Sequence, residues 1–170
     1  QHPDVRRMLM TMRSGAEAMR GLAYVVAATM DRANRHQRKR EREKALALAE
    51  LLIPVVKGWF TETSIEIASL GIQVHGGMGF IEETGAAQFL RDARITTIYE
   101  GTTSIQANDL VGRKLVRDSG QAAKLLIREM KAVARDLHKV EDPDIVAIAR
   151  RFAAGVKALE QCVNWMVENF

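Results

Sequence analysis

Cysteine is nearly absent: Cys162 stands alone in 170 residues, which excludes an intramolecular disulfide and points to a reducing compartment, here the cytoplasm. Its apolar neighbours predict a packing role. Proline occurs 3 times and aromatics make up 5%, while Ala, Leu, Met, Arg, Lys and Glu abound, a balance that favours helix. No apolar run approaches the ~20 residues that a membrane span needs. No segment sustains period-two alternation, so no strand is expected. Internal repeats and low-complexity tracts are missing as well. The opening Gln1-His2-Pro3-Asp4 reads as neither a secretory signal nor a transit peptide. It lacks an initiator Met, and the chain is expected to begin inside a longer protein. His2, His36, His75 and His138 have no metal-ligand spacing, so no metal site is expected.

What is present suits a soluble globular domain: 47% hydrophobic and 27% charged residues, in a length that buries a real core. The net charge of +4 is modest, and much of it lies between Arg32 and Lys44. That run lacks interleaved aromatics and is diluted by Glu41 and Glu43, so it reads as a solvated helix–helix connection. Nucleic acid is not expected as a partner.

Apolar residues from Val5 to Met30 recur at three- and four-residue steps, which predicts a helix over about Pro3 to Asn34. A second helix is expected from about Arg42 to Val74, with a kink or a fresh start at Pro54. The Gly76-Gly77-Met78-Gly79 cluster should end it. Shorter helices follow over about Glu83 to Ile95 and Gly101 to Arg117. Asp118-Ser119-Gly120 is a break, with Ser119 as a candidate cap for a helix over about Gln121 to His138. Asp142-Pro143 caps a last helix running to about Asn169. The expected fold is all-α: an antiparallel helical bundle over 1–117, incomplete at its N-terminus, with two appended C-terminal helices over 118–170.

Two stretches carry candidate chemistry. Glu100, between Tyr99 and Gly101, is by itself either a surface carboxylate or a general base aimed from a turn. A base at that position needs desolvation to raise its proton affinity, and a nearby donor to stabilise a developing carbanion. The glycine cluster is by itself either a helix terminator or a backbone cradle for phosphate. It is not a dinucleotide or P-loop fingerprint, since no strand precedes it and no Lys-Ser/Thr follows. His75 reads as a packing or surface residue, and Arg91-Asp92 as a structural ion pair.

Read together, Gln73-x-x-Gly76-Gly77-x-Gly79-Phe80, Arg91-Asp92-Ala93-Arg94-Ile95, Ile98-Tyr99-Glu100-Gly101-Thr102 and Ile105-Gln106 form one ordered string. It resembles the C-terminal helical domain of acyl-CoA dehydrogenases in order and spacing. The opening His2 to Leu9 and the tail after Arg117 resemble a longer subgroup with a C-terminal extension, which includes 3-methylmercaptopropionyl-CoA and long-chain enzymes.

The resemblance implies that Glu100 removes the α-proton of an acyl-CoA thioester while the β-hydride moves to N5 of FAD. It also implies that the Glu100 backbone N–H helps hold the thioester carbonyl. Tyr99 and Gly101 match substrate-pocket positions. Gln73, Gly76 and Gly77 match cofactor-binding positions that touch the FAD of a neighbouring subunit, and Thr102 matches a contact to the same subunit's FAD. Ser104 stands where one branch has an FAD-binding glutamine, so its shorter hydroxyl would reach through water. Implied partners are the acyl-CoA substrate, an electron-transfer flavoprotein or similar acceptor, and further copies in a dimer or tetramer.

The family's N-terminal and β-domains, and the first helix of its C-terminal bundle, have no counterpart in the chain. The isolated piece is therefore expected to be catalytically silent, with a bare apolar face that favours self-association. Two alternatives remain: an acyl-CoA oxidase, and a non-catalytic basic helical module binding DNA or protein through Lys114, Arg117, Lys124, Arg128, Lys131 and Arg135.

Overall fold

The computed structural model describes residues 2–170, and every regular element among them is helical. Helix α1 spans Pro3–Arg35 and α2 spans Lys39–His75, joined by a short connection into a long hairpin. At 1.5 Å rise per residue, the 37 residues of α2 extend about 55 Å. The two helices pack closely at Gly15, where a Cβ would stand 3.1 Å from Ile67 Cδ1. Met8, Val26 and Thr29 of α1 and Ala45, Ala49, Leu51 and Leu52 of α2 are buried.

Four single-turn to three-turn pieces follow: α3 (Gly77–Phe80), a 3-10 turn (Glu82–Thr84), α4 (Ala86–Thr96) and α5 (Thr103–Asn108). A π-helical segment, Asp109–Leu115, continues α5 directly. Helices α6 (Gln121–Leu137) and α7 (Pro143–Asn169) close the chain. Helices α4 and α5 lie along α2, while α6 packs on α7, on α2 and on the π segment. The best-buried cluster is Leu51, Leu115, Ala122, Ala123, Ile127, Val156 and Val163, so segments 1–117 and 118–170 share one core.

Several expectations need correction. Helix α2 runs through Pro54 without a fresh start. The proline removes one backbone hydrogen bond, yet Leu51, Leu52 and Pro54 itself are buried, and this packing carries the helix across. Asp118, not Ser119, caps α6: its Oδ2 accepts from Ala122 N at 2.9 Å, and Ser119 sits at φ 56°. Cys162 is exposed rather than packed, because it falls on the outer face of α7, between buried Val156 and Val163 on the inner one. Arg91 and Asp92 do not pair with each other: Arg91 reaches Glu82 at 3.3 Å, and Gln88 bridges the two side chains.

The Asp142 cap is as expected, its Oδ1 accepting from Asp144 N at 2.9 Å. His75 is a surface residue whose Nδ1 donates to Gly71 O. An apolar groove of about 490 Å³ opens between α1, α2 and α4, lined by Met12, Met19, Ile67, Phe89 and smaller residues. Phe89 is 73% exposed. No helix among the described residues is long and apolar enough to cross a membrane.

Candidate active site

The turn between α4 and α5 carries Glu100 in an uncommon backbone state. Ile98 N and Tyr99 N both donate to Ile95 O, closing the end of α4. The chain then passes through two consecutive left-handed residues, Glu100 at φ 55° and Gly101 at φ 95°. Glycine takes that conformation freely, whereas a side chain there costs on the order of 1–2 kcal/mol. Such a residue persists only where its surroundings over-determine it, a condition concentrated at functional sites.

The exit of the turn is fixed locally. Thr102 is the N-cap of α5, its Oγ1 accepting from Ile105 N, and Thr102 O accepts from Gln106 N at 3.0 Å. The Gln106 side chain closes over Gly101, with Nε2 only 2.7 Å from where a Cβ would stand. Substituting Gly101 would therefore strain φ and push the flexible end of Gln106 aside.

Two contacts tie the turn to α2. Lys57 Nζ donates to Thr96 O and lies 5.1 Å from the centroid of the Tyr99 ring. Thr103 Oγ1 donates to Glu62 Oε1 at 2.5 Å. Glu100, Ser104 and Thr102 are exposed, and Tyr99 is half exposed. The carboxylate therefore sits on an open face, and any desolvation that makes it a strong base comes from what covers that face.

Gln73, Gly76 and Gly77 lie elsewhere, at the far end of α2. Gln73 is eleven residues beyond Glu62 on a continuous helix, about 17 Å along its axis. The expected cofactor-binding residues therefore form two groups: Thr102 and Ser104 beside Glu100, and Gln73, Gly76 and Gly77 at the α2 terminus. Gly76 caps α2 at φ 63° and is held by its N–H donating to Gln73 O. Gly77 has no positive φ, and a Cβ there would meet nothing within 4 Å. Internal packing gives no reason for glycine at Gly77, whereas a ligand approaching the backbone closely would.

These residues fit a flavin cofactor: an open glycine backbone at one site, and at the other two exposed hydroxyls beside the carboxylate. Lys57 and Glu62 are neighbours of the turn that the sequence did not reveal, and Gln106, the last residue of the motif string, packs over Gly101. Lys57 and Glu62 lie 39 and 41 residues from Thr96 and Thr103, beyond any local signal. Of the tail basic residues, Lys114 pairs with Glu50, Lys131 with Glu160 at 2.6 Å, and Lys124 donates to Ser119 O.

The family model for the acyl-CoA dehydrogenase C-terminal domain matches residues 1–115. A 3-methylmercaptopropionyl-CoA dehydrogenase of Ruegeria pomeroyi is 55% identical over 139 residues, 82% of this chain and 24% of that protein. A broad-specificity linear acyl-CoA dehydrogenase of Mycobacterium tuberculosis is 41% identical over 71% of the chain and 20% of its own length. A butyryl-CoA dehydrogenase of Syntrophomonas wolfei is 31% identical over 99% of the chain and 28% of its own length. The chain thus spans about a quarter of the length of the curated relatives it matches. The string from Gln73 to Gln106, the matched family model and the relatives agree: this chain belongs to the acyl-CoA dehydrogenase family and carries its C-terminal helical domain.

Proposed function

We propose that this chain is the base-bearing helical domain of an FAD-dependent acyl-CoA dehydrogenase, and that Glu100 is the catalytic base. The observation that carries the reading is the left-handed Glu100 on an open face, flanked by Tyr99 and Gly101 and pinned from both sides to α2.

In this reading, Glu100 takes the α-proton of an acyl-CoA thioester. Its own backbone N–H faces the thioester carbonyl and stabilises the developing enolate. Tyr99 and Gly101 line the acyl-CoA pocket, and Thr102 and Ser104 hold the cofactor beside it. Gln73, Gly76 and Gly77 hold the adenosine diphosphate part of FAD on a second copy of the chain. The two groups would then serve two different flavins in a dimer or tetramer. FAD, when bound, supplies the hydride acceptor, so the substrate loses one proton to Glu100 and one hydride to the flavin. The product is an α,β-unsaturated thioester.

The relative at 55% identity makes 3-methylmercaptopropionyl-CoA the first substrate to try. A matching caffeyl-CoA reductase subunit from Acetobacterium woodii is named as part of an Etf complex, which supports an electron-transfer flavoprotein as acceptor. The module-binding alternative loses ground because Lys114, Lys124 and Lys131 are engaged within the chain.

The test is visible spectroscopy of the flavin-loaded protein against a panel of acyl-CoA thioesters. One thioester should bleach the yellow colour, and Glu100→Gln should abolish bleaching. A colourless protein, or bleaching untouched by the substitution, rejects the reading.

A further inference from the structure

We infer that Lys57 is a positioning residue that sets the aim of Glu100, an inference that rests on the proposed role of Glu100 as the base. Lys57 stands on α2, and its Nζ donates to Thr96 O at the end of α4. The ammonium thereby satisfies a carbonyl that the helix leaves open and complements the negative end of its dipole. The same ammonium lies 5.1 Å from the centroid of the Tyr99 ring, within cation–π range. These two contacts bracket the three residues that lead into Glu100.

Beyond Glu100 the chain is caught again by α2, where Glu62 accepts from Thr103 Oγ1. The other hydrogen bonds of the turn are local and join residues at most four apart. Local bonds close a turn but do not orient it against the domain. Lys57 and Glu62 do, and of the two only Lys57 holds the chain on its way into Glu100, through Thr96 and Tyr99.

The lysine's charge makes its placement matter further. A free ammonium beside Glu100 would pair with the carboxylate, hold it ionised and weaken it as a base. Instead, Lys57 makes no ion pair among the described residues. The Thr96 carbonyl and the Tyr99 ring occupy it, so the ammonium acts on the turn rather than in an ion pair. Sustaining a left-handed glutamate requires such external support.

The test compares backbone amide exchange across residues 98–104 in the 170-residue chain and in Lys57→Met, Lys57→Arg and Tyr99→Leu. Lys57→Met should speed exchange in this turn about tenfold while α6 and α7 keep their protection, and Lys57→Arg should restore most of it. Tyr99→Leu removes the ring and leaves the lysine in place. It should speed exchange by a smaller factor, and it keeps the inference testable should Lys57→Met fail to fold. In the flavin-loaded enzyme, Lys57→Met should lower kcat with KM nearly unchanged. Unchanged exchange in the turn, or an arginine variant no better than methionine, overturns the inference. Exchange that responds as expected in a protein that oxidises no thioester would instead reject the proposed function and leave the positioning role standing.

Discussion

Gly79 sits directly against the carbonyl oxygen of Ile72, so closely that a Cβ on Gly79 would overlap it. The three glycines of the cluster therefore answer to three different constraints. Gly76 supplies a left-handed cap, Gly79 supplies close backbone packing, and Gly77 faces open space. Gly77 alone needs neither a positive φ nor internal space, so nothing within the chain accounts for its being glycine.

That division predicts opposite behaviour for two alanine substitutions. Gly79→Ala should destabilise the chain by about 1–3 kcal/mol, because backbone must move to admit the methyl. Gly77→Ala should leave the melting temperature unchanged and lower flavin affinity in the loaded enzyme. Calorimetry with a flavin titration separates the two. An equal loss of stability in both variants would refute the division.

Gly101→Ala is expected to act on activity more than on stability. The left-handed φ of 95° costs about 1 kcal/mol, and the far end of Gln106 can yield to the new methyl. A shift of the adjacent Glu100, however, misaligns a proton transfer, so kcat should fall on the order of ten- to a hundredfold. Steady-state kinetics beside a thermal melt check this, and an unchanged kcat would count against it.

The helix starts at Asp118 and Asp142 give a cleaner stability test. Each caps a helix through its carboxylate, so Asp118→Ala and Asp142→Ala should each cost about 1 kcal/mol. Ser119→Ala should be neutral, and Ser119→Gly should stabilise by about 0.4–1 kcal/mol, since Ser119 occupies a left-handed φ of 56°. Urea midpoints of the four variants rank these effects.

Acid should weaken the fold slightly, through exposed pairs. The Arg13 guanidinium hydrogen-bonded to Glu17 holds that carboxylate below its usual range, and Lys44 does the same to Glu41 and Lys139 to Asp136. A carboxylate whose folded pKa is depressed contributes stability above its unfolded value and loses it as pH falls through the folded one. These contributions should therefore disappear as pH drops below about 4, and high salt should shrink the effect because all three pairs are solvent-exposed. Melting temperatures against pH at two salt concentrations give the readout. Equal acid loss at both would rule out these pairs as the cause.

Much of the fold was legible before any coordinates. Apolar steps of three and four marked α1, and Asp142-Pro143 marked the start of α7 to the residue. These signals are local, because a helix's hydrogen bonds and caps involve residues within four positions. Of the two outcomes expected at Pro54, the fresh start does not occur, because burial of that stretch outweighs the local cost of proline. Ser119 failed as a cap because the chain turns left-handed there and brings Asp118 to the helix start instead.

The site divides along the same line. The amino-acid sequence alone determined that the chain is all-helical, that Gln73 to Gln106 has the order and spacing of an acyl-CoA dehydrogenase domain, and that Glu100 is its candidate base. Only the tertiary structure decided that Glu100 is left-handed, that Lys57 and Glu62 anchor its turn, and that the two groups of expected cofactor residues stand apart. The physical reason is range. Periodicity, caps and glycines act within a turn or two of chain, whereas the aim of a side chain depends on groups brought close by packing from some forty residues away.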